Sequence, residues 1–272
     1  MTVNTQQKHR NRHSFEQIAG VTLAGLILVF VIVGLFYTPY DPDAINAALK
    51  NHPPTLLHPF GTDYLGRDIL SRVMVGTKAT FLISLLTVLI GGGIGTIIGA
   101  ITGYLGGFID ELLMRINDGV TAFPSILLAL ILVGVIGPGK YNIILALSII
   151  FIPSFARIMR SEFLVQRELD YVKNAKLMGA GIFRIIFVHI FPNTKNVLLP
   201  AFAIGFNNAV LAEAGMSYLS LGVQPPDASL GRMLSESQSY LLGSPGAAII
   251  PGTVIIVMVL GFGLLGRSWG NY

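Results

Sequence analysis

The stretch "ISLLTVLIGGGIGTIIGAITGYLGG", Ile83–Gly107, carries no charged residue from end to end. It lies in an uncharged run, Thr80–Tyr104, that is long enough to cross a bilayer, which takes roughly 20 mostly apolar residues. In lipid the backbone must satisfy its own hydrogen bonds, so such a run has to be helical. Gly91, Gly95, Gly99 and Gly103 recur at every fourth position. They strip side chains from one helix face, which lets a second backbone approach closely. A nucleotide-binding reading of these glycines does not fit: no strand precedes them and no acidic ribose partner accompanies them. The stretch reads as a packing seam in an all-α membrane protein.

The rest of the chain agrees. Of 272 residues 53% are hydrophobic and 12% charged, against about 25% charged in a soluble domain. Mean hydropathy is +0.69. Further apolar runs are Ile18–Tyr37, Gly119–Gly139, Tyr141–Ala156, Val197–Leu221 and Ala247–Gly266. Six spans is the most economical reading, with Pro124 and Pro153 expected to kink their helices rather than end them. "KHRNRH" before the first run is reminiscent of a secretion signal, but the apolar core is long and no small-residue cleavage site follows, so it reads as a retained anchor. Domain organisation is expected as residues 1–76, holding a cytoplasmic tail, the first span and an outer segment, followed by a core domain over 77–272.

Lysine and arginine placement orients the spans. With the N-terminus inside, 12 of the 18 basic residues fall on the inner side and 6 on the outer, the positive-inside direction. Thr38–Thr77 and Ser220–Gly246 then become the large outer segments. Residues 170–193 face the cytoplasm, in a multi-pass protein of the cell membrane.

Catalytic constellations are missing. "GVIGPGKY", Gly134–Tyr141, matches the start of a phosphate-binding loop, but Tyr141 stands where Ser or Thr is needed for magnesium. It reads as a tight outer turn. There is no cysteine, hence no disulfide, thiol nucleophile or thiolate metal site. His9 and His13 sit in the basic tail; His52 and His58 share an outer loop. No G-x-S-x-G occurs, and an intramembrane protease would need paired groups within its spans. A membrane enzyme or autonomous channel is therefore a poor fit, and no feature calls for nucleic acid. Glu213 stands out as an ionisable residue inside a span. Contact with a cationic substrate group and pairing with a polar group of another subunit both fit it. Asn207, Asn208 and Met216 are further candidates for a pathway.

One segment breaks the apolar pattern. "DYVKNAKLMGAGIFRIIFVHIFPN", Asp170–Asn193, begins with a short helix whose apolar side is Tyr171, Val172, Ala175 and Met178. Lys173, Asn174 and Lys176 make the other side polar. Gly179 and Gly181 permit a sharp turn. The apolar stretch after them is able to lie against the membrane with Arg184 at the interface, and Pro192 is expected to break the helix before the next span. An interfacial helix that anchors a loop and a handle gripped by a separate motor both fit this pattern.

The segment resembles the "EAA" loop of ABC-importer permeases. Lys173, Asn174 and Ala175 stand at the triplet, Gly179 at its glycine, and His189, Ile190, Phe191 and Pro192 at its end. Tyr171, Val172 and His189 are similar to the dipeptide/oligopeptide/nickel branch, from which Asn174 departs. "HPFGTDYLGRDILSRVMVG" (His58–Gly76), "GYLGGFIDELLMRINDGVTAFPSILL" (Gly103–Leu128) and "EAGMSYLSLGVQPPDASLGRML" (Glu213–Leu234) resemble further blocks of that branch in the same order. The resemblance is to its "C"-type subunit; Leu230, where tryptophan is frequent, and the short ending "GRSWGNY" depart from it.

The resemblance implies a type I importer fold and a transport subunit that is not itself an enzyme. It would form half of a pathway for di- or oligopeptides, with nickel or a metal chelate as the alternative cargo. Implied partners are a second homologous permease, two cytoplasmic ATPase subunits that use ATP and magnesium, an external substrate-binding protein and membrane lipid. This chain would bind no cofactor. Residues 168–192 would be the coupling region, with Asp170, Tyr171, Lys173, Asn174, Ala175, Gly179, Arg184, His189 and Pro192 as its working residues, and Gly179 as the elbow.

Overall fold

Glycines spaced four apart on a long apolar helix need a partner helix, and the chain supplies one. The computed structural model describes residues 2–269, with side chains from Glu16 onward. The side chains of the basic tail, His9 and His13 included, and the closing Gly270–Tyr272 lie outside the described residues. The glycine helix is α2, Ile69–Leu105, and its partner is α5, Lys140–Gln166. A Cβ added at Gly95 would stand 2.5 Å from the Ile152 carbonyl oxygen, and one at Gly103 2.6 Å from that of Arg160. Gly91 and Gly99 meet Ser148 and Ala156 in the same way. The two backbones are in contact at four successive glycines, over about three turns of seam.

Around this pair stand α1, Thr2–Phe36; α8, Lys195–Tyr218; and α10, Gly246–Trp269. α1 and α10 also meet through small residues: Gly20 faces Leu264 and Leu265, and Gly261 faces Leu23 and Ala24. The aromatic centre of the bundle is Phe206, whose ring centroid lies 5.4 Å from that of Phe81 and 4.6 Å from that of Phe262. Among the described residues there is no strand; one isolated bridge pairs Thr62 with Asp68. The architecture is all-α.

Among the described residues five helices are long and apolar enough to cross a membrane, and a bent pair makes up to six. The bent pair corrects one expectation. Pro124 does not kink a span over residues 119–139. Helix α3, Gly107–Thr121, ends before it, and α4, Ser125–Ile136, starts after it at an angle of 87°. The residue before a proline is pushed out of the helical region. The two helices also suit different surroundings. α3 carries Asp110, Glu111, Arg115 and Asp118, whereas α4 is apolar all round and, at about 18 Å, too short to span lipid alone.

Pro192 corrects the opposite expectation. The helical path runs unbroken from Ile182 to Tyr218, passing through α7 (Ile182–Arg184), a π-helical stretch (Ile185–Ile190) and a 3-10 turn (Phe191–Thr194) before α8. A wide turn followed by a tight one takes up the missing N–H of Pro192 without ending the helix. Pro153 and Pro200 lie inside α5 and α8. Helix α2 starts ahead of the uncharged run. Asp68 caps α2 by accepting from the Ser71 amide, so the helix begins at Ile69 and runs through the expected 76/77 boundary.

Candidate functional site

The short helix expected near residue 170 is α6, Asp170–Leu177. Eight residues are too few to be stable alone, so neighbours must hold it. Val172 is wholly buried and Ala175 nearly so, packed with Met159, Phe163, Ile185 and Ile190. Tyr171 is half-buried and donates from its hydroxyl to Gln166 Oε1 at 2.7 Å. Asp170 in the first turn and Lys176 in the last suit the helix dipole. At the C-terminus Gly179 has φ +79°. Its amide donates to the Lys176 carbonyl, and the Ala180 amide reaches the Ala175 carbonyl, both at 3.0 Å. This paired closure needs a left-handed residue and seals the helix end.

Met178 does not join the apolar side. It is the C-cap residue and 89% exposed, beside Leu177 at 86% and Phe183 at 79%. Lys173, Asn174 and Arg184 are also exposed. Lys176 places Nζ 5.1 Å from the centre of the Tyr104 ring. His189 is half-buried, its carbonyl accepting from Asn193 Nδ2 at 2.7 Å, and Pro192 is exposed in the 3-10 turn. Thus α6 offers a rigid tip, anchored on one side and both apolar and basic on the other. Arg167 Nη1 donates to the Gly103 carbonyl at 3.1 Å, so the turn leading into α6 is tied to the end of α2.

A cavity of about 630 Å³ opens between α3, α4, α5 and α8. Phe123, Ile126, Phe151 and Leu211 dominate its wall, and Thr121, Ser125, Ser154 and Asn208 are its polar side chains. No acid or base lines it. Two of the four expected pathway residues, Asn208 and Met216, lie on this wall. Asn207 points away, with Nδ2 against Gly263 and a buried Oδ1 that lacks a partner among the described residues.

Glu213 is 0% exposed. Its Oε1 accepts from Ser217 Oγ at 2.7 Å, and that hydroxyl in turn accepts from the Val223 amide at 3.1 Å. Thr80 and Ser229 flank the carboxyl. In this conformation Glu213 faces neither the cavity nor an outer surface. It joins α2, α8 and the segment before α9, Leu230–Ser237.

At the end of the molecule opposite α6, sequence reasoning missed a buried ion network. Arg67 Nε donates to Asp63 Oδ2 at 2.7 Å and Nη2 to Glu236 Oε2 at 2.8 Å. Arg72 Nη2 reaches the same Glu236 oxygen at 3.2 Å, and Nη1 reaches Asp43 Oδ1 at 3.2 Å. Burial alone would lower the Arg67 pKa, but the Asp63 and Glu236 carboxylates outweigh it and raise it. Part of the signal was in the sequence: Asp63/Arg67 and Arg232/Glu236 are each four apart and pair, whereas Asp68/Arg72 has the same spacing and does not, Asp68 being taken by His58 and Ser71. In the same segment His58 Nδ1 lies 2.9 Å from Asp68 Oδ1, while His52 is exposed. Among the described residues no three His, Asp or Glu gather as a metal site.

Comparison with known proteins gives two findings. The family model of the binding-protein-dependent transport system inner membrane component matches residues 95–272. The chain is also 38% identical over 254 residues to the glutathione transport system permease protein GsiD of Escherichia coli O6:K15:H31, covering 92% of this chain and 84% of the relative. The protein of that name from Shigella boydii serotype 4 matches to the same extent. That from Pectobacterium atrosepticum is 38% identical over 248 residues, covering 89% and 82%.

Proposed function

This chain belongs to the inner membrane components of binding-protein-dependent transport systems, the permease subunits of ABC importers, and from that premise we propose that it forms one half of a peptide pathway driven from α6. The observation that carries the reading is the pairing of a neutral wall with a rigid lever. The wall of α3, α4, α5 and α8 bears only neutral side chains, which suits a cargo that must slide past without being held. The lever is α6, whose free face presents Lys173, Asn174, Leu177 and Met178 to the cytoplasmic ATPases. α5 connects the two: it lines the wall, packs without a gap on α2, and runs through Gln166–Leu169 into α6. Closure of ATP-bound motors pushes α6, and the α2–α5 pair passes the movement to the wall.

The second permease covers the open side of the cavity, and the external binding protein delivers cargo to the outer segment and the α9 region. ATP and magnesium act on the ATPase subunits. A peptide cargo is supported by the relatives, which are glutathione permeases, glutathione being a tripeptide. Glu213 braces α8 and does not meet the cargo.

Affinity purification of the tagged chain from its native membrane, followed by reconstitution with its binding protein, tests this. ATPase subunits should co-purify, and labelled small peptides should enter vesicles only with ATP. Uptake of a nickel chelate in place of peptides would overturn the cargo assignment. Lys173→Glu combined with Leu177→Asp should release the ATPases while leaving the chain folded in the membrane. If the ATPases stayed bound and coupled, α6 would not be the lever.

A further inference from the structure

The wall is neutral along its lining, yet a charge stands where the wall ends toward α6. On α5, Leu147, Ile150 and Ser154 line the cavity, and the next step of that stripe is Arg157. Its Nη2 donates to Thr121 Oγ1 at 2.8 Å and to Asp118 Oδ1 at 3.2 Å. Thr121 itself lines the cavity, so the guanidinium is drawn to the cavity's edge instead of extending freely into lipid headgroups. Nε and Nη1 make no bond to the described residues, and the side chain is 52% exposed. Arg160, one turn on, differs: Nε and Nη2 both donate to Asp110, at 2.5 and 2.6 Å. Arg160 is spent on tying α3 to α5. Arg157 is fixed through Nη2, which leaves Nε–H and the Nη1 hydrogens without an acceptor among the described residues.

Both two-point edges of a guanidinium include Nη2, so a carboxylate arriving here is met by Nη1 or Nε through a single charge-assisted hydrogen bond. We propose that Arg157 is a specificity-determining residue that receives the free carboxylate of a peptide cargo as it leaves the neutral wall toward the cytoplasm. The assignment rests on the peptide-permease reading above. Asp118 offsets part of the positive charge, so the grip is weak. A pathway needs this, since a residue that attracts its cargo must also release it.

The test compares one tripeptide as free acid and as C-terminal amide, chosen so that the binding protein holds both. The complex is reconstituted in vesicles of phosphatidylethanolamine and phosphatidylglycerol. Arg157→Gln should lower kcat/KM for uptake of the acid about tenfold, the scale of a hydrogen bond to a charged group. It should change uptake of the amide by less than about twofold, within what surface substitutions do. Arg157→Lys should keep most of the preference for the acid. Equal losses for acid and amide would overturn the proposal and make the residue structural; equal losses that vanish in neutral lipid would overturn it in favour of a headgroup contact. Unchanged uptake of the acid would overturn it outright. A wild-type complex that moved neither peptide, while its ATPase subunits still turned over, would instead bring down the peptide reading on which the assignment stands.

Discussion

Gly95 and Gly93 are two residues apart on one helix and have opposite surroundings. A Cβ at Gly95 would lie 2.5 Å from the Ile152 oxygen and 2.8 Å from Phe155 Cβ, whereas one at Gly93 would meet nothing within 4 Å. The first obstruction is mostly backbone, which cannot rotate away. Gly95→Val should therefore force α2 from α5 and destabilise the chain by about 3 kcal/mol or more. Gly93→Ala should be neutral or stabilising by up to about 1 kcal/mol, because alanine is the better helix former. Thermal unfolding in detergent checks the pair; similar melting of both variants would mean that the seam is not the close contact described. A second residue-scale expectation concerns Glu236. It serves Arg67, Arg72 and Arg232 at once. Glu236→Ala leaves two buried guanidinium groups short of a carboxylate, a change that typically costs about 3–5 kcal/mol. The same melting experiment should show a loss far above that of Glu111→Ala, whose ion pair with Arg115 is exposed.

Among the elements, α6 has the most to lose from a small backbone change. Nothing lies within 4 Å of a Cβ at Gly179, so its φ of +79° is the whole constraint. An alanine there costs about 1–2 kcal/mol in the left-handed region, enough to loosen the closure of α6 but not the bundle. Gly179→Ala should lower ATP-driven uptake more than it lowers the melting temperature, and Gly181→Ala, at φ −66°, should do neither. Equal effects at the two glycines would remove Gly179 from its place as elbow. α6 was legible in the sequence because its polar and apolar sides alternate at helical spacing and a glycine follows it. Met178 was misplaced because a residue at the helix end no longer follows the helical stripe. The bend at Pro124 and the continuity through Pro192 were not legible. A proline removes one donor in either case, and whether the chain breaks or widens into a π turn depends on what packs beside it. The amphipathic α3 favours a break at Pro124. Buried Ile185, Ile186 and Ile190 hold the helix together before Pro192.

At the scale of the molecule, hydropathy marked five spanning helices and joined a bent pair into a sixth, but it says nothing about which side of a helix faces a cavity. For that reason it does not separate Asn208 and Met216, which line the cavity, from Asn207 and Glu213, which are turned elsewhere. The same reasoning leaves the sidedness of the whole chain resting on 12 basic residues against 6, and the structure converts it into a direct measurement. The absence of cysteine gives a silent background for single thiols. Leu57, 73% exposed, lies in the segment between α1 and α2, and Met178, 89% exposed, lies at the tip of α6. In intact cells, with any outer membrane made permeable, a maleimide that cannot cross the inner membrane should label Leu57→Cys at once and Met178→Cys only after that membrane is opened. Ser154→Cys on the cavity wall should change its labelling rate when the ATPases are trapped with ATP, since α5 joins that wall to α6. The reverse sidedness would place α6 beyond the reach of cytoplasmic motors, and the wall and the lever could then no longer belong to one transport cycle.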